Sequence, residues 1–270
     1  MAGDLPIRLD RLLVERGLAA TRSRAAQIIQ FGAVRVNGRV CTKPGARVAP
    51  QADIVIDGDP LPYVGRGGIK LAFALKAFAV SPQGKVALDV GASTGGFTQV
   101  LLEGGAAKVY AVDVGRDQLH HSLRADPRVV VMEQTDIRSI TSPFPQLPEL
   151  ATIDVSFISL ALVLPAVVRL VSADADVITL IKPQFELEAK KIGKRGVVRD
   201  PRLRVEAIER VQHAAETCGL YMQGIVPSPI TGSDGNVEYL AHWRREVPVS
   251  GTSAQAIRAA AASLTGVRDS

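Results

Sequence analysis

Cysteine is scarce. The 270-residue chain has two, Cys41 and Cys218, far apart and in no metal-ligand pattern. They read as small buried hydrophobes in a reducing compartment. Long apolar runs are missing too: the longest, Leu160 to Val171, contains Arg169 and is too short to cross a bilayer. The N-terminus lacks the charged, then apolar, then small order of a secretory leader, so a cytoplasmic protein with no membrane attachment is expected. Of the four histidines, His120 and His121 are adjacent, but no ligand companion is near; they read as surface or packing residues, and no metal is expected. No internal repeat is visible, and the only compositional bias is an alanine-rich tail. What is present is ordinary for a globular chain: 47% hydrophobic and 22% charged residues, enough for one large domain and one small one. The formal charge of +5 is a mild excess, compatible with a polyanionic partner.

One further absence is informative. Leu88-Asp89-Val90-Gly91-Ala92-Ser93-Thr94-Gly95-Gly96-Phe97-Thr98 reads as buried strand, glycine-rich turn and helix start. In the dinucleotide pattern G-x-G-x-x-G the second glycine makes room for a pyrophosphate. Ser93 stands at that position, which disfavours a nicotinamide enzyme. A turn with Asp89 at the strand end suits a cationic cofactor without phosphate, and S-adenosylmethionine fits. Asp113 closes the next apolar run and is placed to accept from ribose hydroxyls. Asp136 follows a third run, Val129 to Met132. Asp89, Gly91, Ser93, Gly95, Gly96, Phe97, Asp113 and Asp136 are the expected cofactor residues.

Residues 1–58 form a separate module. Arg8 to Gly17 has apolar residues at helical spacing with a glycine stop, and Thr21 or Ser23 caps a second helix over 24–30. Residues 33–40 alternate around an Asn37-Gly38 hairpin turn, and Asp53 to Ile56 adds a strand. Between Arg8 and Arg47 there are nine Arg or Lys and only two acids, Asp10 and Glu15. Arg8, Arg11, Arg22, Arg24, Arg35, Arg39, Lys43 and Arg47 are candidate phosphate contacts. Arg-Leu-Asp-x-Leu-Leu, Ser-Arg-x-x-Ala, Phe-Gly-Ala-Val-x-Val-Asn-Gly and Asp-Ile-Val-Ile, in that order, resemble the RNA-binding domain named after small-subunit ribosomal protein S4. The resemblance implies docking to structured RNA.

A Pro- and Gly-containing linker, 59–66, leads into a larger domain over 67–247, with a tail over 248–270 that contains a helix near 254–262. A helix near 68–78 opens it, and strands and helices then alternate: strand 86–90, helix 96–103, strand 108–112, helix 116–123, strands 129–132 and 150–154, helix 160–170, strand 176–181 and helix 202–217. Two final strands read as an antiparallel edge. The pattern predicts an α/β fold, a Rossmann-like sheet with helices on both faces, preceded by a small α+β domain.

Polar residues stand where the apolar runs finish: Asp154 after Ala151 to Ile153, Lys182 after Val177 to Ile181, and Glu238 in the penultimate segment. Lys70 lies on the first helix of the larger domain. A lysine ending an apolar run needs a partner if buried, and Asp154 and Glu238 are candidates. In the order Lys70, Asp154, Lys182, Glu238, interleaved with the glycine turn, these residues resemble the tetrad of the FtsJ-like ribose 2′-O-methyltransferases. Tyr63-Val64-x-Arg66-Gly67-Gly68-x-Lys70-Leu71, Asp154-Val155-Ser156-Phe157-Ile158-Ser159-Leu160, Lys182-Pro183-Gln184-Phe185-Glu186 and Gly196-Val197-Val198-Arg199-Asp200-Pro201 extend the resemblance over nearly the full chain, to the TlyA family. Members of that family were once described as hemolysins and methylate cytidine 2′-hydroxyls of ribosomal RNA. The resemblance implies S-adenosylmethionine as cofactor and large-subunit or small-subunit ribosomal RNA as partner. On physical grounds Lys182 is expected to act as general base, with Asp154 holding it and Glu238 orienting Lys70 or the ribose. A nearby Lys70 ammonium favours the neutral amine that a base must be. Lys190, Lys191, Lys194 and Arg195 form a basic segment placed to grip RNA phosphates. A monomer is expected. The alternatives are a non-catalytic RNA-binding assembly factor and a membrane-active cytolysin.

Overall fold

The computed structural model describes residues 5–19, 21–30, 32–56, 62–142, 144–193, 196–232, 234–248 and 254–262. The chain divides into two compact units, one through Arg66 and one from Gly67 onward.

In the first unit, α1 (Leu9–Glu15) and α2 (Arg22–Gln30) pack on each other. Leu9, Leu12 and Leu13 of α1 are buried with Ala25, Ile28 and Ile29 of α2, the helical spacing legible in the sequence. Thr21 accepts the Arg24 backbone N–H through Oγ1, capping α2. The strands β2 (Val34–Val36) and β3 (Arg39–Val40) form a two-residue hairpin at Asn37-Gly38, both with positive φ, and β5 (Ile54–Ile56) pairs on the other side of β2. A short pair not foreseen, β1 (Ile7–Arg8) with β4 (Arg47–Val48), lies outside this sheet. Of the expected linker, residues 59–61 lie outside the described residues, and the Tyr63 carbonyl accepts from Arg24.

The second unit begins with α3 (Gly67–Ala77) and continues β6 (Val86–Val90), α4 (Gly96–Glu103), β7 (Lys108–Val112), α5 (His121–Arg124), β8 (Val129–Met132), β9 (Leu150–Ile153), α6 (Leu160–Leu170), β10 (Asp176–Ile181), α7 (Pro183–Glu186), α8 (Pro201–Thr217), β11 (Tyr221–Pro227), β12 (Tyr239–Arg244) and α9 (Ala254–Ala262). Its seven-stranded sheet runs β11-β12-β10-β9-β6-β7-β8. The five strands from β10 to β8 are parallel, and β12 is antiparallel to both β10 and β11. Chain order reverses between β6 and β9, and an open α/β sheet binds ligands outside the strand ends at such a point. Leu88, Val90, Ala151, Ile153, Tyr239 and Trp243 face a core built with α6, α8 and α9.

Two expectations need correction. The helix expected over 116–123 shrinks to 121–124 because the Glu133 carboxylate takes the backbone N–H groups of Asp117, Gln118 and Leu119, and Asp117 has a φ of 52°. The helix expected in the tail is a packed element: Ile257, Ala260 and Ala261 are buried in the main core, so the unit does not end at 247.

Candidate active site

The sheet's carboxyl edge gathers the four polar residues into two ion pairs. Lys182 follows β10 and Glu238 precedes β12, and the antiparallel register Ile181↔Tyr239 makes them neighbours across the strands. Asp154 follows β9, one strand further along. The start of α3 reaches this edge, since a Cβ on Gly67 would lie 3.6 Å from Oδ2 of Asp154. Lys70, one turn further on, places Nζ 2.5 Å from Oε2 of Glu238, with both side chains almost fully buried. Lys182 Nζ stands 2.7 Å from Oδ1 of Asp154 in an ion pair without hydrogen-bond geometry, and donates a hydrogen bond to Ser156 Oγ at 2.8 Å. Its other neighbour is the Phe185 ring, with the centroid 5.9 Å from Nζ. Buried ammonium groups need such partners, and removing one partner of a buried pair costs about 3–5 kcal/mol.

Beside the pairs lies a cavity of about 560 Å³, lined by Gly91, Ser93, Val112, Asp113, Asp136, Ile137 and Asp154 among others. Its size is that of a small-molecule site. Asp113 shapes the turn, accepting the Ser93 N–H on Oδ2 and the Gly115 N–H on Oδ1, each at 2.7 Å. Asp136 caps a short turn and is paired with Arg138, which holds its carboxyl below the ordinary range. Apolar walls with three carboxylates suit a cationic nucleoside. That chemistry fits S-adenosylmethionine, the cofactor of the FtsJ-like fold.

Four residues expected in the cofactor site do not line this cavity. Asp89 is fully buried, and its oxygens accept from Thr98 Oγ1 at 2.7 Å and Thr152 Oγ1 at 3.1 Å, so it ties β6 to α4 and β9 and does not line the cavity. A Cβ on Gly95 would meet Leu119 and Leu123; Gly96 is buried at the start of α4, and Phe97 packs against Gly67. These three are packing positions. Burial raises the Asp89 carboxyl from 3.8 to about 7, against the pull of the two threonine bonds and with a further push from the Asp154 charge. The folded chain therefore keeps a proton that the unfolded chain loses between pH 3.8 and about 7, and stability falls as pH rises through that window. At pH 8 the cost is on the order of 4 kcal/mol. Asp89→Asn keeps one acceptor and one donor for the threonines; it should raise the melting temperature at pH 8 and change it little at pH 5. An unchanged melting temperature at pH 8 would contradict a costly buried charge.

The basic residues are partly committed. Asp10, buried, holds Arg8 at 2.8 Å and Arg22 at 3.2 Å, which lowers its carboxyl to about 2. Arg11 pairs with Glu15, and Arg47 donates to the Pro6 carbonyl. Arg35, Arg39 and Lys43 are exposed. Near the catalytic edge, Lys190 pairs with Glu188 and Lys191 with Glu206; Lys194 and Arg195 lie outside the described residues.

Three positions received no role from the sequence. Ser156 and Glu186 both lay in quoted motifs, and the available signal was their place just after a strand-ending polar residue. Glu186, buried, accepts from Ser159 Oγ at 2.6 Å and the Leu160 N–H at 3.0 Å, joining the loop after Lys182 to the loop after Asp154. Asn236 joins residues 196–198 to the segment before β12, accepting from the Val198 N–H and donating to the Gly196 carbonyl.

Residues 63–245 match the FtsJ-like methyltransferase family, and residues 7–54 match the S4 domain. The chain is 47% identical over 240 residues to the 16S/23S rRNA (cytidine-2′-O)-methyltransferase TlyA of Mycobacterium tuberculosis, covering 88% of this chain and 89% of that protein. It is 34% identical over 248 residues to the 23S rRNA (cytidine-2′-O)-methyltransferase TlyA of Campylobacter jejuni, covering 85% of this chain and 96% of that one. A solved structure of a hemolysin-named protein from Streptococcus thermophilus superposes with a TM-score of 0.74 at 39% identity, covering 96% of this chain and 95% of that one. With the strand-edge lysines and acids, the parallel sheet and these matches in hand, the chain belongs to the FtsJ-like methyltransferases, in the TlyA family, with an S4 domain ahead of its methyltransferase unit.

Proposed function

We propose that this protein methylates the 2′-oxygen of cytidine ribose in ribosomal RNA, acting in the cytoplasm on assembled ribosomal subunits. The observation that carries the reading is the pair Lys182–Asp154 standing at the sheet edge beside the cavity, with Lys70–Glu238 buried next to it. S-adenosylmethionine, when bound, supplies a methyl group on a sulfonium, activated without a metal.

The chain's own residues then have three tasks. The glycine turn and Asp113 would hold the cofactor in the cavity at the strand ends. Lys182 takes the proton of the ribose hydroxyl as the oxygen begins its bond to carbon, work worth roughly 10²–10⁴ in rate for a general base. Alignment of oxygen, carbon and sulfur supplies much of the remainder. Glu238, paired with Lys70, would orient that lysine or the ribose. Phe157, 90% exposed and 5.0 Å from the Phe185 ring, offers an aromatic face to a base beside the cavity. Ribosomal RNA is supported as the substrate by the S4 match and by the activities named for both TlyA relatives.

The name hemolysin among relatives does not favour a lytic reading. Among the described residues no helix is long and apolar enough to cross a membrane, and the buried lysine–acid pairs have no use in lysis. The test is transfer of a radiolabelled methyl group to purified 30S and 50S subunits lacking the modification, with alkaline hydrolysis to map protected cytidines. Label at one or two cytidine 2′-positions is expected. Label on a base, or none on either subunit, would reject the proposal.

A further inference from the structure

Lys182 has two polar neighbours, and they are not equivalent. Asp154 supplies charge at 2.7 Å, but this contact lacks hydrogen-bond geometry. Ser156 Oγ, at 2.8 Å, is the hydrogen-bond acceptor. Both neighbours line the cavity. The loop that carries Ser156 is fixed from the Lys182 side, because Glu186, four residues after Lys182, binds Ser159 Oγ and the Leu160 N–H at the start of α6. Ser156 and Lys182 are therefore held in register by one buried carboxylate.

A base must present its lone pair, and an amine on a flexible four-carbon stem has no preferred direction for it. A neutral Lys182 has two N–H bonds and one lone pair on Nζ. One N–H donated to Ser156 Oγ and the other drawn to the Asp154 charge leave a single tetrahedral direction for the lone pair. We infer that Ser156 is a positioning residue for methyl transfer: its hydroxyl fixes the rotation of the Lys182 amine, so that the lone pair faces the ribose 2′-hydroxyl. In the step it serves, a lone pair of the 2′-oxygen forms the bond to the methyl carbon. The carbon–sulfur bond breaks with its pair going to sulfur, and the hydroxyl proton passes to Nζ. The ammonium formed keeps Ser156 and Asp154 as acceptors. The inference rests on the reading of Lys182 as the base.

The test uses the full-length protein with ribosomal subunits and compares Ser156→Ala, Ser156→Thr and Lys182→Ala for kcat, KM for subunits and Kd for S-adenosylmethionine. Ser156→Ala should lower kcat roughly 10- to 100-fold with KM and cofactor Kd within about twofold, the pattern of lost orientation. Ser156→Thr keeps the hydroxyl at an exposed position with room for a methyl and should recover kcat to within about threefold of the parent. The inference fails if Ser156→Ala keeps kcat within twofold, if its loss falls on KM or cofactor Kd, or if Thr does no better than Ala. Near-normal turnover by Lys182→Ala would instead overturn the base reading itself. An inactive Lys182→Ala beside a normal Ser156→Ala would remove only the role of Ser156.

Discussion

Lys182→Ala should abolish methyl transfer, with kcat falling roughly 10³-fold or more while cofactor affinity stays within about threefold. The side chain does not line the cavity, so its loss leaves the cofactor contacts in place. Its partner Asp154 is 20% exposed and can take up water when the ammonium goes, so the fold should survive. A second substitution separates charge from proton transfer. Lys182→Arg keeps a cation beside Asp154 and Ser156, but a guanidinium does not give up its proton at any working pH. If Lys182 acts as a base, Arg should be as inactive as Ala. If it acts only by stabilising charge, Arg should keep a tenth or more of the activity. Single-turnover methyl transfer to ribosomal subunits, with calorimetry for the cofactor, reads both outcomes.

What the chain disclosed before its structure follows a physical line. Strand ends were legible because each buried apolar run stops at a polar residue, and in this fold those stops are the functional edge: Asp113, Asp154 and Lys182 all follow a strand directly. The pairing of the tetrad was legible because a buried ammonium demands an acid. Contacts made by one side chain across long sequence separation were not. Asp89 looked like a strand-end carboxylate, yet it sits within β6 and is taken by Thr98 and Thr152, nine and 63 residues away. Nothing local marks those threonines. The shortened α5 is the same case, since Glu133 takes amides 14 to 16 residues earlier. The helix over 254–262 was readable from Ile257, Ala260 and Ala261 at helical spacing. Its burial against α8 and β11 depends on a core whose other side is set 30 and more residues upstream.

The glycine turn supplies the second large effect, with a built-in control. Gly91 and Gly84 both have left-handed backbones, with φ of 83° and 73°. An added Cβ at Gly84 meets nothing within 4 Å, whereas at Gly91 it would lie 2.4 Å from the carbonyl oxygen of Asp154. That oxygen belongs to backbone and not to a flexible side chain, and the bond from the Asp154 N–H to the Val90 carbonyl ties the two strand ends together beside it. Gly84→Ala should therefore cost only the backbone strain, about 1 kcal/mol. Gly91→Ala should cost roughly 4 kcal/mol, strain plus a clash that must be relieved by parting the ends of β6 and β9. Parting them moves Gly91 and Asp154, which line the cavity, and Asp154 is the partner of Lys182. Cofactor affinity and kcat should then fall together, each at least tenfold, in Gly91→Ala and in neither case for Gly84→Ala. Thermal melts with calorimetric titration of S-adenosylmethionine check it. Equal destabilisation of the two variants would mean that strain alone governs Gly91, and that the close approach of the two strand ends does not build the site.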